Sequence, residues 1–178
     1  VEIPELSQST QTRLKRLLPP AASVPNPVDV AGGTDADPAV FAECADIILN
    51  DANIGGLLIV GLFGGYGIRF AERLAFREED AAHQMGKMVK NRNKPIILHS
   101  LYCSEKPHSL HLLRYYGVPV YDSLDVAAKC IGVLAEYGRY LAQYKKRERF
   151  DLHWGNQSQT DAKRIIRQAI DDNRCSLL

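Results

Sequence analysis

The sequence predicts an α/β fold in which a parallel sheet is covered by helices on both faces. Short apolar runs alternate with longer amphipathic segments from about residue 28 to residue 144. Parallel strands need crossover connections, so this order favours a three-layer α/β/α sandwich with a parallel sheet. With 178 residues, of which 46% are hydrophobic and 24% charged, the chain is long enough for one such domain and flanking pieces.

The first residues predict a short helix and an extended connector. Leucines recur at helical spacing from Leu14 until Pro19 ends the helix. A small, proline-rich run over residues 21–27 then predicts an extended connection. We assign residues 1–25 to a helix and connector that follow a preceding domain.

Four strands, each followed by a helix, are predicted over the central domain, residues 26–144. The strands are predicted at residues 28–30, 57–62, 96–98 and 118–121. The helix after the first strand should have Asp37 as its cap and Pro38 in its first position. The next helix should begin near Arg77, with Glu78 in its acidic first turn.

The last two predicted helices of the domain are a segment at 105–116 and a long helix capped by Asp122 or Ser123. The long helix carries an apolar stripe that predicts a core-facing side: Ala127, Ile131, Leu134, Gly138 and Leu141. Residues 145–178 read as a polar linker and a helix that leads toward another domain. The basic run at 145–149 is typical of a solvated segment.

Composition excludes several classes of protein. A formal net charge of +1 provides no field that would attract nucleic acid. No apolar stretch is long enough for a membrane helix, and the first residues lack the layout of a secretory signal. The four cysteines form no C-x-x-C pair, which favours reduced thiols in the cytoplasm. Since the chain begins with Val1, we expect a segment of a longer protein.

Three loops should share the edge of the sheet where ligands of parallel α/β proteins bind. They contain Gly32-Gly33, the run 63–67 and His99-Ser100. Glycines let backbone amides approach an anion, so Gly64 and Gly65 are candidates for holding a phosphate. A tight turn after a strand is the other interpretation, since the loop matches neither a Walker loop nor a full dinucleotide fingerprint.

The histidines predict no metal site. His108 and His111 share a helix face, but the sequence shows no carboxylate or cysteine companion for them. His99 and Ser100 are candidates for the edge of the site, although a hydrogen-bonded residue at a strand end is the favoured interpretation of His99.

From about Leu6 to Tyr144 the chain resembles the ligase domain of the NDP-forming acyl-CoA synthetases, the superfamily of succinyl-CoA synthetase and ADP-forming acetyl-CoA synthetase. The resemblance is carried in order by LLPPAASVPNPVDVAGG, VGLFGGYGIRF, KPIILHSLY and GVPVYDSLDVAAKCIGVLAEY. It implies a flavodoxin-like, Rossmann-like domain.

The resemblance also implies a function. The parent would be an acid-CoA ligase that forms acyl-CoA, ADP and phosphate from an organic acid, CoA and ATP through a phosphohistidine. That histidine belongs to a partner domain, so no catalytic residue is assigned here and the isolated fragment is expected to be inactive. CoA, ATP and Mg²⁺ are expected on the CoA-binding and ATP-grasp domains, and this fragment is expected to bind no cofactor. The acid and the oligomeric state, including a homo-oligomer, stay open.

The phosphate-binding residues implied by the resemblance lie in two glycine segments. They are Gly32, Gly33, Gly64, Gly65, Tyr66, Gly67 and Arg69. One departure from the family concerns the segment 66–76, which predicts a short helix or lid before the main helix. Arg69 would then supply positive charge to the phosphate, unless it forms a surface ion pair with Glu72.

Two other classes of function compete with the ligase. The same fold can serve as a non-catalytic binding or assembly module in a parent without ligase activity. A free-standing flavin or receiver domain is the third possibility, but the segment 31–34 lacks the hydroxyl-rich or acidic loop that such domains carry.

Overall fold

The structure is a computed structural model that describes residues 2–144 and 156–173, and only the backbone of 156–159. It is a mixed α/β fold with a parallel three-stranded sheet flanked by helices. The helices are α1 (Gln8–Leu17), α2 (Ala39–Leu49), α3 (Tyr66–Arg69), α4 (Leu74–Arg92), α5 (His108–Tyr115), α6 (Leu124–Tyr144) and α7 (Asn156–Asp171). The strands are β1 (Leu57–Gly61), β2 (Ile96–Ser100) and β3 (Val120–Tyr121).

The strands lie in the order β1-β2-β3, and both neighbouring pairs are parallel. The register places Ile59 beside Leu98, and Leu98 beside Val120. These three side chains share one face, and they belong to the main core together with residues of α2, α4 and α5. On the other face, the Cys130 thiol of α6 lies 3.2 Å from the Tyr121 hydroxyl.

The prediction of a strand at residues 28–30 is wrong. Asp29 instead pairs with Ser23 in an isolated antiparallel bridge, with backbone hydrogen bonds of 3.0 and 2.9 Å. The carbonyl of Val30 accepts a hydrogen bond from the Gly33 amide at 2.8 Å, so a turn follows at once. Because its backbone groups are used by the connector and by the turn, this short run does not join the parallel sheet.

Helix α2 begins one residue later than predicted. Pro38 precedes the helix, but the Asp37 carboxylate accepts a hydrogen bond from the Ala39 amide at 3.0 Å. Helix α4 begins at Leu74, three residues before the predicted Arg77, so Glu78 lies in its second turn instead of its first. The short helix predicted between the glycine loop and α4 is present as α3.

The prediction that the stripe on α6 faces a core is wrong. Ala127 is buried, but Leu134 and Leu141 are 43% and 38% exposed. The physical reason is length: a helix of 21 residues is about 31 Å long. A strand of 5 residues spans only about 17 Å, so strands of this length can cover about half of such a helix.

The chain forms two compact units, Val1–Arg139 and Tyr140–Leu178. In the first unit, α1 packs on α2 in a second apolar cluster that includes Leu14 and Ile48. In the second unit, Ile165 and Ile170 of α7 are exposed, whereas Ala169 is buried. The predicted domain limits of 1–25, 26–144 and 145–178 stay predictions, and the predicted linker and its basic run lie outside the described residues.

None of the helices in the described part of the chain is long and apolar enough to cross a bilayer.

Candidate functional site

The glycine loop, residues 62–67, follows β1 and includes the first two residues of α3. It is packed against the end of β2 and against α5. Phe63 and Tyr66 are fully buried. The Ser100 hydroxyl, at the end of β2, donates to the Phe63 carbonyl at 2.6 Å and accepts from the Tyr102 amide at 3.1 Å. The loop therefore has a fixed backbone, held by the end of the neighbouring strand.

Two positions of this loop require glycine. Gly64 has a φ of +100°, and a Cβ added there would lie 2.9 Å from Cγ of Leu110. A Cβ on Gly65 would lie 2.1 Å from Cε2 of Tyr102, because the tyrosine ring lies directly against this residue. A side chain at either position would displace helix α5 or the Tyr102 ring.

The amides of the glycine loop converge on a carboxylate of the chain itself. Oε1 of Glu78 accepts a hydrogen bond from the Gly64 amide at 2.5 Å and a longer one from the Tyr66 amide at 3.4 Å. Oε2 accepts from the Ser109 hydroxyl at 3.2 Å. The Gly65 amide donates to the Leu62 carbonyl at 3.0 Å. The loop thus forms an oxyanion hole, and the oxyanion in it is Glu78.

Glu78 is only 2% exposed. Burial raises its pKa above that of an ordinary glutamate, and the hydrogen bonds from Gly64, Tyr66 and Ser109 offset part of this effect. A buried carboxylate usually requires a nearby cation or several donors. Among the described residues, its donors are all neutral, namely the Gly64 and Tyr66 amides and the Ser109 hydroxyl.

The phosphate-site prediction required loop amides without partners inside the chain, and this expectation is wrong in this structure. The loop geometry suits an oxyanion, but an incoming phosphate would have to displace Glu78 from the Gly64 amide. Helix α3 has only four residues, so it adds little dipole to the site. The assignment of Gly64, Gly65, Tyr66 and Gly67 to a phosphate site stays a prediction.

A cleft of about 300 Å³ lies beside the oxyanion hole. Its lining includes Gly64, Gly67 and Ser109, together with four carboxylates from Glu72, Glu78, Glu79 and Glu105. His108 also lines the cleft, and its Nδ1 lies 3.1 Å from Oε1 of Glu79. This lining is acidic, which opposes the approach of an anion from solvent.

His108 has a carboxylate companion, Glu79, that was not apparent from sequence spacing. Within residues 2–144 and 156–173, however, no three His, Cys, Asp or Glu side chains are placed to share a metal ion. The prediction that His108 and His111 form no metal site stays a prediction.

Arg69 ends helix α3 and is exposed. Its Cζ lies 5.6 Å from the centroid of the Phe70 ring, and the residues that line the cleft do not include it. The ion pair with Glu72 is not formed in the described part of the chain, and the predicted contact of Arg69 with phosphate stays a prediction.

The Gly32-Gly33 segment lies close to the glycine loop although it follows no strand of the sheet. A Cβ on Gly33 would lie 2.8 Å from Cδ of Pro19. The next residue, Thr34, is buried, and its hydroxyl accepts a short hydrogen bond from the Tyr66 hydroxyl. Burial raises the pKa of Tyr66 to about 12, so its phenol remains a donor at neutral pH. The Thr34–Tyr66 bond joins the two glycine segments that the sequence predicted to share a site.

His99 and Ser100 both lie in β2 and are buried. Ser100 braces the loop through Phe63, as described above. His99 shares a sheet face with Val60 and Tyr121, which lie on the neighbouring strands. Its Nδ1 is buried without a hydrogen-bond partner among the described residues, so a hydrogen bond from that atom does not explain its position.

Glu78 is the residue of the candidate site that sequence reasoning missed. It was assigned to the solvated, acidic first turn of a helix. A signal was nevertheless present, because Glu78 falls in the stripe formed by Leu74, Ala81, Ala82 and Met85, all buried on α4. A carboxylate in an apolar helical stripe predicts a buried acceptor that needs donors from another segment.

Comparisons with known proteins find a similar fold among the solved structures. No protein-family model and no curated protein matches the chain. The solved structure of PH0766 from Pyrococcus horikoshii OT3 is similar, with 30% sequence identity and a TM-score of 0.57 over 71% of this chain. The matched region is 28% of that protein, so this chain corresponds to a minor part of a longer relative. The likeness supports the α/β fold.

Proposed function

We propose that the chain is the flavodoxin-like ligase domain of an NDP-forming acyl-CoA synthetase, and that its glycine loop holds the phosphoryl group of a phosphohistidine from a partner domain. The observation that carries the proposal is the convergence of the Gly64 and Tyr66 amides on one carboxylate oxygen. Preorganised amides of this kind stabilise oxyanions during phosphoryl and acyl transfer.

Two further observations support the proposal. The ordered sequence resemblance runs over most of the chain, and the fold relative is a protein more than three times longer than the matched part. In such a parent, this domain would contribute backbone donors and no reacting side chain. The phosphohistidine, CoA, ATP and Mg²⁺ would belong to the CoA-binding and ATP-grasp domains.

The chain's own residues would have three tasks in that reaction. The Gly64 and Tyr66 amides would take an oxygen of the phosphoryl group. Ser100 and the Tyr102 ring would keep the loop rigid, and the Thr34–Tyr66 bond would hold the second glycine segment against it. Rigid donors lose little free energy to reorganisation when the charge arrives.

Replacing Gly64 with alanine in the full-length parent tests this function. We expect histidine phosphorylation by ATP and acyl-CoA formation to fall by about 100-fold, because a Cβ at Gly64 would clash with Leu110 and shift the Gly64 amide out of its donor position. The matched control is Gly55→Ala, because a Cβ at Gly55 meets no atom within 4 Å. Thermal melts would verify that both variants are folded. Equal turnover of a folded Gly64→Ala variant and the control would refute the ligase role.

A binding or assembly module is the second candidate. It is favoured by the acidic cleft and by Glu78, since an internal carboxylate can fill the hole permanently for stability alone. A parent gene that encodes neither an ATP-grasp domain nor a histidine-bearing domain would support this alternative, whereas a parent that encodes both would support the ligase.

A further inference from the structure

We propose that Glu78 is a built-in competitor for the oxyanion hole, so that a phosphate-bearing group binds only when the Glu78 carboxylate leaves the Gly64 and Tyr66 amides. This inference rests on the proposed function and assigns that site its regulation. The amides would exchange an internal oxyanion for an external one.

The two oxyanions exclude each other by geometry. Oε1 of Glu78 lies 2.5 Å from the Gly64 nitrogen, which is the place that a phosphate oxygen would need. Simultaneous binding would also bring two negative charges within about 4 Å of each other in a site of low water content, where their repulsion is strong. One of the two must therefore leave.

The structure gives the displaced side chain a place to go. The cleft of about 300 Å³ is lined by Glu78 itself and by the small side chains of Ala75, Pro107 and Ser109. It also contains His108, which can donate to a carboxylate in the cleft. A rotation of the Glu78 side chain toward this space would free the amides without moving the backbone of α4.

Proton uptake favours the exchange. A protonated Glu78 is a weaker acceptor for the amides and does not repel an anion, so lowering the pH through its raised pKa should strengthen binding of an external oxyanion. Other charged or titratable groups face the same space from α3, α4, α5 and the adjoining loops: Tyr66, Glu72, Glu79, Glu105 and His108. The test must separate their contribution from that of Glu78.

The experiment is a titration of the ¹⁵N-labelled chain with sulfate, followed at the Gly64 amide. Sulfate stays doubly charged over the range in which carboxylates and histidines titrate, so changes with pH report on the protein. We expect Glu78→Gln to bind sulfate about ten-fold more tightly than the native chain. The reason is that a neutral internal acceptor competes less strongly than a charged one for the loop amides. Native binding should strengthen as the pH falls, and this change should be smaller in Glu78→Gln, in which residue 78 no longer contributes to it.

Two more variants make the result specific. His108→Gln should keep the pH response, since the response belongs to Glu78. Ser109→Ala removes the hydroxyl that donates to Oε2 of Glu78 and should therefore also raise the affinity for sulfate. This variant tests the competition even if Glu78→Gln does not fold.

The failures of the two proposals are distinguishable. Equal sulfate affinity and an equal pH response in the native chain and Glu78→Gln, with the Gly64 amide shifted in both, would overturn the competition but leave the oxyanion hole in place. A Gly64 amide that sulfate shifts in neither the native chain nor any folded variant would overturn both the competition and the proposed function.

Discussion

Gly86→Ala is expected to lower the free energy of unfolding by about 1 to 3 kcal/mol. Gly86 lies on α4 against Tyr116, and an added Cβ would lie 2.2 Å from Cγ and 2.6 Å from Cβ of that side chain. Tyr116 cannot easily move aside, because its hydroxyl lies 2.9 Å from Nδ1 of His83 and the Lys90 ammonium lies over its ring. Helices α4 and α5 would have to separate.

Gly138→Ala on α6 is the matched control for this prediction. A Cβ at Gly138 meets no atom within 4 Å, so alanine should stabilise the helix by about 0.5 to 1 kcal/mol through its higher helix propensity. Urea denaturation of both variants measures the difference. Equal effects of the two substitutions would contradict the close packing of α4 on α5.

Glu78→Ala is expected to cost about 1 to 3 kcal/mol for each buried amide that loses its acceptor. The Gly64 and Tyr66 amides and the Ser109 hydroxyl would all lose this partner. Glu78→Gln should change stability by less than about 1 kcal/mol, because the amide oxygen can still accept while the buried charge is removed. Chemical denaturation at neutral pH compares the two variants.

The pH dependence of stability is the control for the Glu78 prediction. Its pKa is higher in the folded chain than in the unfolded chain, so between these two values the folded state binds more protons. The contribution of Glu78 to stability therefore falls as the pH rises through this window, and Glu78→Gln should lack that change. An equal loss of stability in Glu78→Ala and Glu78→Gln would show that the carboxylate is not the partner of the loop.

Local pattern predicted the apolar strands well. The run predicted at 57–62 is strand β1 (Leu57–Gly61), and the run at 96–98 is the first part of β2 (Ile96–Ser100). Both are continuous apolar runs preceded by glycine or proline, and such runs are typical of buried strands. The prediction of a strand at 28–30 failed because Asp29 and Val30 form their backbone hydrogen bonds within the connector and the turn.

The residues around the candidate site were predicted, but their partners were not. The two glycine segments do approach each other, through Thr34 and Tyr66. Glu78 and Gly64 are 14 residues apart, and their contact depends on how α4 packs against the loop. The sequence predicted a start near Arg77 with Glu78 in an acidic first turn, whereas α4 begins at Leu74 and Glu78 lies in its buried stripe.

The pH titration of the Gly64 amide in the native chain, with no added anion, tests the oxyanion hole most directly. If Glu78 occupies the hole, the Gly64 amide proton should shift as this carboxyl group titrates, at a pH above the range of an ordinary glutamate because burial raises its pKa. The shift should be absent in Glu78→Gln. A Gly64 amide that does not respond to pH in the native chain, or that responds equally in Glu78→Gln, would contradict the occupied hole.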